Sequence, residues 1–92
     1  MRIRAYKVRE GPQLGQIVIA VITADRRKET VIIDQHALKD GTIDVGRPIG
    51  RAKDRVLVEL PRQTTSGIWR VWISGDVAVK ELDLLFQARA TT

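Results

Sequence analysis

Gly67-Ile68-Trp69-Arg70-Val71-Trp72-Ile73-Ser74-Gly75-Asp76-Val77-Ala78-Val79 holds both tryptophans and reads as two short strands about a tight turn. Side chains alternate between faces along a strand. Trp69, Val71 and Ile73 therefore share one face, and Ile68, Arg70 and Trp72 the other. The first set suits a core, with one large ring and two β-branched residues that fit a pleated surface. The second set places an indole beside an arginine on the face where water is expected. Ser74-Gly75-Asp76 supplies the turn, because glycine accepts positive φ and aspartate bonds back to its own backbone. Val77 and Val79 resume the alternation. Leu82, Leu85 and Phe86 follow at helical spacing, which predicts a short C-terminal helix near 81–89.

Upstream, Arg55-Val56-Leu57-Val58-Glu59-Leu60 alternates with Val56, Val58 and Leu60 inward, and Pro61 ends the run because it has no N–H for a ladder. Ile17-Val18-Ile19-Ala20-Val21-Ile22 is continuous apolar, the pattern of a strand covered on both faces. A second subunit is one way for a chain of this size to supply that cover. Asp25-Arg26-Arg27-Lys28 is a polar turn, and Thr30-Val31-Ile32-Ile33 returns as the second arm of a hairpin. Gln35 to Asp40 predicts a short helical turn stopped by Gly41. Met1 to Arg9 reads as a strand whose apolar parity switches at Ala5-Tyr6, which predicts a β-bulge there. That bulge would gather Arg2, Arg4, Lys7 and Arg9 on one face, either as a charged edge strand that resists edge-to-edge pairing or as a binding strip.

Short strands separated by turn signals, with no repeats, predict an all-β, mainly antiparallel single domain over 1–92, a small barrel or a two-sheet β-sandwich. From Asp54 to Leu85 the order is strand, polar loop, strand, tight turn, short strand and a turn at Leu82-Asp83-Leu84. In that order the chain resembles an SH3-like small β-barrel, a fold that hosts many unrelated functions. The type II dihydrofolate reductases catalyse on such a barrel by pooling residues around a tetramer pore. The chain is similar to them at fold level only. Where their Val-Gln-Ile-Tyr motif would fall it reads Val77-Ala78-Val79-Lys80, so that activity is not supported.

Sixteen basic against eleven acidic residues give a net charge of +5, which favours polyanionic or acidic partners. There is no cysteine, so disulfides, thiol catalysis and cysteine-based zinc sites are excluded. Met1-Arg2-Ile3-Arg4 lacks the apolar core of a signal peptide, and the run from Ile17 to Ile22 is too short to cross a bilayer. The expectation is a cytoplasmic protein with no membrane contact.

Candidate chemistry is sparse. Gly46-Arg47-Pro48-Ile49-Gly50-Arg51 is one residue short of a P-loop, carries arginine in place of the lysine, and leads into a strand rather than a helix. His36 is the single histidine, with Asp34 and Asp40 its nearest carboxylates in sequence, a poor zinc signature. No carboxylate pair stands in an apolar setting that would tune it for acid–base work. No catalytic residue, metal or cofactor is therefore predicted. Two surfaces remain. Ile68, Arg70 and Trp72 form an apolar patch with a cation, the composition of an interface for a second copy or a protein partner. A competing arrangement packs Trp72 beneath the C-terminal helical turn, against Leu82 or Phe86. The second surface is basic, Arg2, Arg4, Lys7 and Arg9 with the loop cations Arg47, Arg51, Lys53 and Arg55, and would hold a nucleic-acid backbone.

Overall fold

The period-two pattern of the sequence forms strands throughout. The computed structural model describes residues 1–75 and 78–79. Its strands are β1 (Arg2–Arg4), β2 (Tyr6–Glu10), β3 (Gln16–Ile22), β4 (Lys28–Asp34), β5 (Thr42–Asp44), β6 (Gly50–Ala52), β7 (Arg55–Glu59), β8 (Arg70–Ser74) and β9 (Ala78–Val79). They make three antiparallel sheets, ordered β5-β1-β9, β2-β3-β4 and β6-β7-β8. The architecture is all-β and antiparallel as expected, but among the described residues no sheet closes into a barrel, and there are three sheets rather than the two of a sandwich. No described helix is long and apolar enough to cross a membrane.

One core joins the sheets. Ile3, Ile19, Ile43, Val58 and Ile73 are among its fully buried members, one or more from each sheet. Ile17 and Val21 of β3, Val31 and Ile33 of β4, Val56 of β7 and Val71 of β8 fill the space between them at alternate positions. Each such side chain contributes roughly 1.5–3 kcal/mol when fully buried. β3 is buried on both faces, because Val18 and Ala20 are covered as well. Flanking side chains lie on that second face: Arg9 and Ile32 pair with Val18, and Tyr6 and Thr30 pair with Ala20. A single chain thus buries this strand, and β3 gives no argument for a second subunit.

Four local expectations need correction. The bulge falls between Lys7 and Arg9, not at Ala5-Tyr6. Arg2, Arg4, Tyr6 and Arg9 consequently look away from the core, whereas Lys7 pairs with Ile19 on the opposite face and is bonded to Glu10. Gly41 does not stop a helix. Asp40 and Gly41 have φ of 53° and 72°, the two left-handed positions of a type I′ turn, with Lys39 and Thr42 exchanging backbone hydrogen bonds of 2.9 Å. The helical turn expected over 35–40 is one 3-10 turn, Gln35–Ala37, capped by Asp34 Oδ1 accepting from the His36 N–H. Finally, β9 pairs with β1, and among the described residues no pairing joins it to β8 as the predicted hairpin about Gly75 requires. The helix expected near 81–89 lies outside the described residues.

Candidate interaction surface

The outward face of the third sheet is set by the same alternation that buries Val56, Val58, Val71 and Ile73. Its rows, read across β6, β7 and β8, are Ala52-Arg55-Ser74 and Gly50-Leu57-Trp72, with Glu59 opposite Arg70 beyond them. Trp72 lies across the middle row. A Cβ added at Gly50 would stand 3.3 Å from Leu57 Cβ and 3.7 Å from Trp72 Cη2, so the indole reaches over Leu57 toward the sheet edge. An aromatic side chain shielding an edge glycine is a known device for holding register. Trp72 still exposes 37% of its surface, as expected for an outward ring.

Trp69 departs from expectation. Alternation assigns it to the core with Val71 and Ile73, yet it is 54% exposed. β8 begins only at Arg70, and Leu60, whose N–H donates to the Trp69 carbonyl, is the residue buried at this end of the sheet. The loop before it is tightly closed. Thr64, the one buried polar residue of the described set, shares a hydrogen bond with the Ser66 hydroxyl and accepts from the Ile68 N–H. The loop is also fastened to β4, through the Thr65 N–H on the Thr30 carbonyl at 2.9 Å and through the Ser66 hydroxyl on Glu29 Oε1 at 2.6 Å. These bonds hold Ile68, 41% exposed, and Trp69 at the surface beside β8.

The cations on this face bring their own counter-charges. Arg70 Nε lies 3.8 Å from Glu59 Oε2, and Arg55 Nη1 lies 3.3 Å from Asp25 Oδ1 at the tip of the β3–β4 hairpin. That tip is docked on β8 by the Ala24 N–H, which donates to the Trp72 carbonyl at 2.7 Å. Exposed pairs of this kind contribute about 0–1 kcal/mol each and exchange partners readily.

The eight cations proposed for nucleic acid are divided. Arg2 and Arg4 lie on β1 and Lys7 and Arg9 on β2, whereas Arg51 and Arg55 lie on β6 and β7, with Lys53 in the turn between them and Arg47 in the preceding loop. Within the first set, Lys7 takes the other face and Arg2 is bonded to Thr42. Within the second, Arg55 is paired with Asp25. Ile68, Arg70 and Trp72 do share one neighbourhood. Sequence reasoning missed Leu57 and Trp69 as surface residues. The strict alternation of Val56, Val58 and Leu60 already implied Leu57; nothing local marked Trp69.

No protein family, curated protein or solved structure matches this chain.

Proposed function

We propose that this protein is a non-enzymatic binding subunit that associates with a second copy of itself through the outward face of the third sheet. One observation carries the reading: Ile68 and Trp72 are exposed on the outward face, over the half-buried Leu57 and with the exposed Trp69 beside them, and the balanced charges Arg55, Arg70, Glu59 and Asp25 lie around them. Such a patch is complementary to itself. A two-fold axis through it can set each arginine opposite a carboxylate of the other copy, a reciprocal pairing of the kind an isologous contact uses. Tryptophan and arginine are also the residues that dominate interface energetics. A separate protein partner is the nearest alternative occupant.

Binding of a nucleic-acid backbone takes second place. Its support is Tyr6, exposed on the face that also carries Arg4 and Arg9, a stacking ring with cations on either side in sequence. Against it, the two basic segments are split over different sheets and three of their eight cations are already engaged.

Light scattering over a concentration series tests the first reading. The expected mass is twice the 10.3 kDa of the chain, falling to one chain in Trp72→Glu. A wild-type protein that stays at the mass of one chain at the highest concentration refutes self-association.

A further inference from the structure

The outward face of the second sheet differs in kind from that of the third. Alternation about the bulge puts Tyr6 and Arg9 of β2 on it, with Ile22 of β3 and its partner Lys28 of β4 one row beyond Tyr6. A hollow of about 230 Å³ opens there, and its open rim is Arg4, Tyr6 and Ile22. The hollow exists because the residue paired with Tyr6 is Ala20, whose short, fully buried side chain stays below the rim. Tyr6 keeps 48% of its surface exposed, and Ile22 is half-buried.

Arg4, Arg9 and Lys28 are exposed, and none of them forms an ion pair among the described residues. Arg55 and Arg70 of the third sheet, by contrast, both carry a carboxylate of their own chain. The carboxylate on the face of the second sheet, Asp34, stands at the far end of β4 opposite Gln16, where its Oδ1 accepts from the His36 N–H. With one residue absorbed by the bulge, Arg4 and Arg9 each stand about two strand positions from Tyr6, roughly 7 Å to either side. That is comparable to the spacing of successive phosphates in an extended strand.

A base stacks readily on an exposed aromatic ring, and a neighbouring guanidinium adds to the contact or takes a phosphate. An acidic peptide would satisfy the cations but brings no flat group that the ring requires. A duplex keeps its bases stacked inside, so it presents this face with phosphates alone. We infer that the outward face of the second sheet binds a single-stranded nucleic acid, with one base on the Tyr6 ring against Ile22 and the flanking phosphates on Arg4, Arg9 and Lys28. This rests on the second reading given above and adds the base to the backbone.

The test is fluorescence anisotropy of the full chain with a labelled oligouridylate of about 12 nucleotides. Oligodeoxythymidylate of the same length separates an RNA strand from a DNA strand, and a duplex and poly-glutamate form the remaining arms. Saturable binding of either single strand is expected at low salt, with log K falling against log salt at a slope of about −2 for three phosphate contacts. Tyr6→Leu keeps an apolar side chain over Ala20 and should weaken the single strand by about fivefold or more, whereas Tyr6→Phe stays within about twofold. The duplex should not respond to Tyr6→Leu. Arg4→Gln, Arg9→Gln and Lys28→Gln should each weaken binding several-fold and reduce the slope by about 0.7. Lys53→Gln removes the same charge from the third sheet and should leave affinity unchanged. A urea midpoint kept by each variant ties these losses to the surface. Absence of saturable binding by both single strands overturns this inference and the backbone reading together. Binding that is indifferent to Tyr6→Leu, or a duplex that loses as much in that variant, overturns the inference and leaves the backbone reading standing. It is equally overturned if Lys53→Gln costs as much as Arg9→Gln, or if poly-glutamate displaces the strand at equal affinity.

Discussion

The two tryptophans separate what a side chain does from what its sequence position suggests. Both lie in one run of alternating residues, yet Trp72 covers Leu57 and Gly50 while Trp69 sits on a loop outside the strand. Their truncations should therefore differ. Trp72→Ala uncovers Leu57 and the edge glycine and should cost about 1–2 kcal/mol; Trp69→Ala should stay within about 0.5 kcal/mol, the range of surface changes. A core tryptophan would cost roughly 3–5 kcal/mol on truncation. Urea unfolding of the two variants measures this directly, and a large loss from Trp69→Ala would show that its ring is part of the packing. The residue-level error has a physical source. Parity predicts a side chain's direction only while the strand continues, and the strand starts one residue after Trp69 because the Thr64–Ile68 loop is tied to Thr30 and Glu29 on β4. Those bonds join residues far apart in sequence, so no local pattern announces them. Val71, Ile73, Val56 and Val58 lie within strands, and there parity places every one correctly.

At the scale of elements, most strands were legible, β6 in what reads as a basic loop being the exception, and most pairings were not. The β3–β4 hairpin could be read because its arms are adjacent and its tip is polar. The pairing of β9 with β1 could not, since it joins the two ends of the described chain and alternation does not name a partner. Asp40-Gly41 shows a different failure, in which one residue pair has two meanings. Glycine after a polar run ends a helix or makes a type I′ turn, and here β5 selects the turn by pairing back on β1. This turn also anchors the bend at which the N-terminal strand passes from the first sheet to the second, because the Ala5 N–H donates to the Gly41 carbonyl at 2.9 Å. An added Cβ at Gly41 would meet nothing nearer than the Ala5 carbonyl at 3.9 Å. The cost of Gly41→Ala is thus conformational, about 1–2 kcal/mol for a left-handed residue with a Cβ. A lower urea midpoint with an unchanged slope is the expected result. A neutral substitution would mean that this turn does not hold the junction.

For the whole molecule, the surface that self-association needs is also the one whose charges test it. The apolar surplus that first suggested a partner, the run from Ile17 to Ile22, is absorbed by the chain itself. Ile68, Trp69 and Trp72 remain exposed on and beside β8, and the charges there are paired within the chain as Arg70 with Glu59 and Arg55 with Asp25. If two copies meet there, Arg70 of each copy faces Glu59 of the other. Arg70→Glu then places like charges across the contact, and Glu59→Arg does the same with opposite sign. Each should weaken the dimer by about tenfold or more, since like charges juxtaposed at an interface cost several kcal/mol before relaxation. The double exchange, Glu59→Arg with Arg70→Glu, restores every opposite pair at once and should return the dimerisation constant to within a few-fold of wild type in sedimentation or light scattering. A foreign partner has fixed charges of its own and would not accept the exchanged face, so recovery in the double variant separates a second copy from any other occupant. Failure of the double variant to recover, in a chain that keeps its urea midpoint, would remove the charge exchange and with it the two-fold contact.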